Sequence, residues 1–573
     1  MLLLTNTFMV YIPYLLSQMI EVLEVAPIDV ARLKNMLLIV FLAAVAGAII
    51  RVISRLLIFN TGRIVEYELR TALFKHMQRM PASVFASRPI GDLVSRSTND
   101  LNSVRLLFGF GMLNLLNTPL LFIMTVVVMA KINLRLTPAV LLVFPVVILG
   151  VRSYARRMFD LTQQIQGTLG DISTTAQESF SAVQVIKSYS LEEHQTAKID
   201  HLSQRYLSMG IRLALIRNIL FNVMAAIIGL SELVLIGFGG WEIIHGRLTI
   251  GELVAFNVYL GMMIWPTMAL GFILSVWQRG MAAMSRIEEI LAEPVEDSVL
   301  KIEAGEPWRR PDFWQKDIEI RGLTWRYPDG PADGKQELET EPVLQDVSMQ
   351  IAGGRFTALI GPTGCGKSTL AKILPRLYNP PSGTVFINGV DLTAIPLETL
   401  RQNVGLATQE TFLFSRSLAE NIGFGRPGVD HKEIIAAAGN AVLDRDLEEF
   451  SNGYETLVGE RGITISGGQR QRAAIARLLV YKTPIMILDD SFSAVDLKTE
   501  QRILSHLRTR LAGRTVLLIT HRIAIAGEAE QIFVMDQGRI VEQGLQDELL
   551  AAGGIYARLA EIQQLSDDME PVR

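Results

Sequence analysis

The sequence of 573 residues contains one cysteine, Cys365, so no disulfide can form within the chain and oxidation adds nothing to its stability. Charge is also scarce, at 20% of residues against roughly a quarter in ordinary soluble domains. There is no basic surplus, with 54 Lys and Arg against 58 Asp and Glu, whereas a nucleic-acid-binding protein would concentrate basic residues on one surface. What the chain has in quantity is apolar residues, 49% of the total, with a mean hydropathy of +0.30. That content excludes a disordered chain and a collagen. The net charge of −4 hides a division: residues 1–290 carry 24 basic and 18 acidic groups (+6), and the rest carry 30 and 40 (−10). The apolar excess lies in the first half, so a membrane region precedes a soluble one.

About 20 apolar residues in a helix cross the hydrocarbon core of a bilayer. Residues 106–130 and 253–278 meet this length without a charge, and 218–241 is interrupted only by Glu232. Residues 1–20 are uncharged and lack the basic start and small-residue cleavage site of a signal peptide, so they read as a retained helix. Residues 36–59 carry Arg51 and Arg55 near one end, where long basic side chains can snorkel; 136–151 completes the set as a short span. Six membrane helices are expected.

Loop charge orients them. Segments 60–105 and 152–217 hold seven and eight Lys or Arg, while 24–35, 131–137 and 242–252 hold two, two and one. Basic loops stay in the cytoplasm, which places the N-terminus, both long connections and the second half of the chain inside. The long connections are polar but rich in helix formers, so they read as helical extensions that turn back near 88–92 and 185–191. Glu232, alone inside a span, is a candidate for a proton, cation or cationic substrate, or for a partner on a neighbouring helix. The methionines of the spans read as packing residues.

From residue 317 onward short apolar runs alternate with helical patterns, as in an α/β domain. The strand-like run 356–360 leads into Gly361, Pro362, Thr363, Gly364, Cys365, Gly366, Lys367 and Ser368, then a helical stretch from Thr369. This is a P-loop in the required setting: glycines let backbone amides wrap phosphates, and a helix N-terminus adds positive potential. Lys367 would reach the β- and γ-phosphates and Ser368 would ligate Mg2+. The run 485–489 ends in Asp489, the usual second Mg2+ position of such NTPases. These features alone leave kinases, GTPases, helicases and transport ATPases open. Residues 465–469 narrow the choice, because Ser466, Gly467, Gly468 and Gln469 open another helix and form a second anion site. One chain with one P-loop would use it on nucleotide held by another chain.

In order, the P-loop, Gln409 within 407–414, the 465–469 motif, Asp489, the 493–496 stretch and His521 make residues 30–565 resemble a half-transporter of the ATP-binding cassette (ABC) exporter family. The resemblance implies a six-helix transmembrane domain with long cytosolic helical extensions (1–290), a linker (291–316) and an α/β P-loop nucleotide-binding domain (317–573). It implies ATP and Mg2+ as cofactors, an ATP hydrolase coupled to export, and an amphipathic drug or lipid as cargo in a bacterial-type inner membrane. It gives Tyr327 a place stacked on adenine and the P-loop with Thr369 a place around the phosphates. Gln409 would sense Mg2+ and the attacking water, His521 would contact the γ-phosphate, and Ser466 and Gly468 would contact the partner's ATP. The turns at 88–92 and 185–191 match the family's coupling helices, and 459–462 resembles the loop that touches them.

Two departures stand out. The chain opens directly in apolar sequence instead of the family's amphipathic elbow helix, which bears on the position of the first helix. After the Mg2+ aspartate the family places a glutamate that polarises water, and here it is Asp490. One methylene less leaves the carboxylate about 1–1.5 Å short. Asp490 therefore resembles the weakened site of a heterodimeric exporter, whose other chain would carry the glutamate. The alternatives are a homodimeric lipid or peptide exporter and an ATP-gated channel.

Overall fold

The computed structural model describes residues 1–24, 28–296, 306–327, 341–448, 450, 452–459, 464–495, 497–510 and 513–569. Part of the expected linker (297–305), most of the 459–462 loop and Asp496 lie outside the described residues. The chain divides into two compact units: Met1–Met77 with Val94–Ala292, and Gln78–Leu93 with Glu293–Arg573.

The first unit is helical. Its long helices are α1 (Leu2–Glu24), α2 (Val30–Met77), α3 (Met112–Ile132), α4 (Val143–Ser181), α5 (Glu192–Ile244) and α6 (Ile250–Leu291). Helical backbone leads into α3 from Ile90 and includes two π-helical turns, Arg96–Asp100 and Leu107–Gly111. Among the described residues three stretches are long and apolar enough to span a membrane: Leu2–Glu24, Val30–Met77 and Ile90–Ile132. The other expected spans fall on Leu136–Leu141 with α4, on α5 and on α6. Large apolar side chains face outward, among them Phe41, Leu233 and Trp265 at 62%, 68% and 65% exposure, a surface that suits lipid and not water. Thr249 and Glu252 form a reciprocal cap that starts α6. The turn between α4 and α5 falls at Tyr189–Leu191, where Ser190 adopts a positive φ of 53°.

Glu232 is exposed on α5 and has no hydrogen-bond or ion-pair partner among the described residues. The most deeply buried carboxylate among the described residues of this unit is instead Glu242, which accepts two bonds from Arg247 (3.0 and 2.9 Å) and one from Asn133 (3.2 Å). It lies beyond the expected span, where charge patterning gives no reason to single it out.

The second unit is α/β. Strands β1 (Ile318–Trp325), β2 (Leu344–Ile351), β4 (Val385–Ile387) and β5 (Val390–Asp391) form an antiparallel sheet in the order β2-β1-β4-β5. The second sheet has the order β10-β9-β3-β8-β7-β6, from β3 (Phe356–Ile360), β6 (Val404–Ala407), β7 (Ile485–Asp489), β8 (Thr515–Ile519), β9 (Gln531–Asp536) and β10 (Arg539–Gly544). All its pairings are parallel except β9 with β10. β3, β7 and β8 are buried at every residue, which explains their unbroken apolar runs. Alternation divides each strand between two cores: Met486 and Leu488 pack in one, Ile485 and Ile487 in the other.

The segment Gln78–Leu93 belongs to this unit. Glu296 N–H donates to the Arg79 carbonyl (2.7 Å), Arg88 pairs with Glu293, and Arg401 holds both oxygens of Glu296 (2.7 and 2.8 Å).

Candidate active site

Because β3, β8, β7 and β6 run parallel, their carboxyl ends lie along one edge of the sheet, where α/β folds place ligands. Each end delivers part of the site. The segment 361–366 follows β3 and opens the helix α7 (Lys367–Ile373). β6 leads to Gln409, β7 ends at Asp489 and Asp490, and β8 leads to His521. A cavity of about 290 Å³ is lined by Tyr327, Thr363, Gly364, Gly366, Lys367, Ser368, Thr369, Gln409, Asp489, Asp490 and His521, together with Val343, Ile519 and Thr520.

The loop after β3 depends on glycine at two points. A Cβ on Gly361 would stand 2.0 Å from the Met535 carbonyl oxygen. Gly366 has a φ of 106°, and a Cβ there would stand 2.8 Å from Leu344 Cδ2. Cys365 is buried beneath the loop, and its carbonyl accepts from Gly538 N–H (3.1 Å). Lys367 Nζ donates to the Gly361 and Pro362 carbonyls (both 2.8 Å) and approaches Cys365 Sγ at 3.6 Å. The ammonium thus lies over the loop, with its charge directed at carbonyls that a phosphate would replace.

Two carboxylates stand at the end of β7: Asp489 closes the strand and Asp490 follows it. Asp489 is 1% exposed and accepts from Ser368 Oγ (2.9 Å); burial pushes its carboxyl above the usual range, against the lowering effect of that bond. Asp490 accepts from Gln409 Nε2 (3.4 Å) on one oxygen, and its other oxygen meets His521 Nδ1 (2.9 Å). The bond to Asp490 holds the imidazole above its ordinary pKa. Asp490 also has a positive φ of 45°, a conformation that aspartate tolerates better than most side chains. Tyr327 Oη meets Thr369 Oγ1 at 2.9 Å, and its ring stands edge-on to Trp325 and Tyr378.

Ser466, Gly467, Gly468 and Gln469 do not line this cavity. They start the helix α8 (Gly467–Tyr481): Ser466 Oγ accepts from Gln469 N–H (3.2 Å), and Gln469 Oε1 accepts from Ser466 N–H (2.9 Å). The pair formed by Glu500 and Arg522 has no local signature in the sequence. Glu500, on the helix α9 (Leu497–Arg510), is fully buried, and burial pushes its carboxyl up to about 7. Its partner Arg522 also donates to the Val495 and Ser493 carbonyls (3.2 and 3.3 Å), tying the loop after β7 to the loop after β8.

Comparison with known proteins gives the family. Residues 1–267 match the ABC transporter transmembrane region, and residues 344–493 match the ABC transporter family. The chain is 34% identical to the Bacillus subtilis protein "Probable multidrug resistance ABC transporter ATP-binding/permease protein YheI", over 99% of this chain and 94% of that one. It is 33% identical to the multidrug resistance-like ATP-binding protein MdlA of Escherichia coli, over 91% and 86%. With an ATP-dependent lipid A-core flippase of Syntrophus aciditrophicus it shares 31% identity, over 88% and 82%. The fold is that of a solved bacterial Atm1-family ABC exporter with ATP bound, at a TM-score of 0.78 and 24% identity, covering 98% of this chain and 96% of that one. Relatives matched over nearly the whole length, with both regions on one chain, place this protein in the ABC transporter family, as an ATP-hydrolysing, multi-pass membrane transporter whose nucleotide-binding domain is cytoplasmic.

Proposed function

We propose that this chain is an exporter subunit that couples ATP hydrolysis to movement of an amphipathic lipid or drug-like molecule across the membrane. The observation that carries this reading is the convergence of Lys367, Ser368, Gln409, Asp489, Asp490 and His521 on one cavity, in a chain that also bears membrane-length apolar helices. Relatives named as lipid A-core flippases support the lipid end of the cargo class. Six spans within residues 1–290 would form the path, and residues 317–573 would bind nucleotide.

The residues divide the work. Tyr327 offers an aromatic ring at the cavity for adenine, and the backbone amides of 363–366 with Lys367 and Thr369 hold phosphates. Ser368 and Asp489, with Gln409, form an oxygen donor set fit for Mg2+, and a cation would relieve the cost of the buried Asp489 carboxylate. That ion, when bound, supplies charge neutralisation for the phosphates. Asp490 orients the attacking water, and His521 reads the γ-phosphate. Ser466 to Gln469, away from the cavity of their own chain, would complete the site of a partner. The segment Gln78–Leu93, held within the nucleotide-binding unit, would carry the signal of closure as a coupling element.

Asp490 favours a second reading, in which the partner is a different chain with glutamate at this position and the site here is slower. A displacement of about 1 Å at a reacting group can cost on the order of 100-fold in rate. The test is the mass and ATP turnover of this chain alone in lipid nanodiscs. A dimer with transporter-like turnover supports two like chains, and a poorly assembling chain that binds ATP without hydrolysing it supports the unlike partner. Replacing Asp490 with Glu should then raise turnover of the assembled dimer at least several-fold; an unchanged rate would remove the weak-site reading.

A further inference from the structure

We infer that Gln563, on the helix α10 (Ile555–Met569), is a positioning residue that sets where His521 stands, and that this helix thereby takes part in sensing the γ-phosphate. The inference rests on the reading of His521 given above. The helix is fixed at its start, where the Glu542 carboxylate accepts from the amides of Ile555 and Tyr556 and the Tyr556 ring is fully buried. Gln563 follows Tyr556 by seven residues, two helical turns on, so both lie on the same face. Its amide is used at both ends: Oε1 accepts from Ile523 N–H at 2.8 Å, and Nε2 donates to the His521 carbonyl.

One side chain thus bridges the main chain on either side of Arg522, whose guanidinium is held by Glu500. The three residues after Thr520 are each tied to a different element: His521 to Asp490 beyond β7, Arg522 to α9, and Ile523 to α10. The first tie is the one that ligand chemistry must rearrange. The other two fix the backbone from which the imidazole projects. A donor and an acceptor are both required of Gln563, so no apolar or purely anionic side chain of this length can serve.

The test uses the full chain in lipid nanodiscs with MgATP and MgADP as probes. The measured quantity is the ratio of the two affinities, which reads contact with the γ-phosphate and does not require turnover. Gln563→Leu, of similar size without hydrogen-bonding groups, should lower the preference for ATP about fivefold while ADP affinity stays unchanged. Gln563→Glu, which keeps the acceptor and loses the donor, should do the same in a chain with near-native melting temperature. Combined with His521→Ala, neither should lower the preference beyond His521→Ala alone. If His521→Ala removes the preference and both Gln563 variants retain it, Gln563 positions nothing. Equal losses of ATP and ADP affinity would also overturn the inference, since they mark a scaffold role. If His521→Ala itself leaves the ratio intact, the reading of His521 fails and this inference falls with it.

Discussion

Two glycine-bearing helix starts in the nucleotide-binding unit differ in one respect. At α7 the N-cap is Gly366, with φ of 106° and no side-chain bond to the helix amides. At α8 the N-cap is Ser466, in extended backbone, and Ser466 and Gln469 satisfy each other's amides. The first start opens on the cavity with no side chain capping its amides, while Lys367 rests on the loop's own carbonyls. The second supplies its own cap and keeps its shape without a ligand. Glycine at a helix start is therefore not one signal: φ and the presence of a cap separate a loop that waits for phosphate from a start that is complete before anything binds.

The largest effect should come at the open start. Replacing Lys367 with Ala should lower ATP turnover by about 100-fold or more while melting temperature changes little, as phosphate release and a thermal melt would show. Ser466→Ala should reverse that pattern in part. It should cost about 1 kcal/mol of stability in chemical denaturation and leave ATP affinity of the isolated, unassembled chain unaltered. A loss of ATP affinity equal to that of the Lys367 variant would erase the distinction between the two starts.

The smallest effect concerns His521. Its pKa is raised in the fold by Asp490, so the pair stabilises the chain fully below the ordinary imidazole pKa of about 6.5. That contribution is lost as pH rises through the raised value. The melting temperature of the wild type should exceed that of His521→Ala most at pH 6, and the gap should close toward pH 9; a gap that widens with pH would contradict the pairing.

The parts of the site legible in the sequence are those tied to backbone geometry. The strand at 356–360, the glycines and Lys367 fix one another by spacing, and Asp489 follows from a buried strand that ends in an acid. The α8 start is readable because small residues ahead of a helical run form a local pattern, although that pattern points to an anion site and not to the reciprocal cap of Ser466 and Gln469. Glu500, Arg522 and Gln563 are not readable, because each acts across 22 to 42 residues and looks in sequence like any polar residue of a surface helix. In the membrane unit apolar length marks α1 and α2, yet Glu242 is not legible in the sequence because its partners Asn133 and Arg247 meet it only in three dimensions. The left-handed backbone at Asp490 was equally invisible, and it gives a local reason for a short acid there.

The helix α2 runs unbroken for 48 residues, about 72 Å at about 1.5 Å per residue. The hydrocarbon core accounts for about 30 Å of that length. The whole rod acts as a lever: a tilt of about 10° about one end moves the other by roughly 12 Å. A rod of this kind magnifies a small rotation without any relay of side chains along its path. Its stiffness, more than any single contact, sets how far a movement at one end is felt at the other.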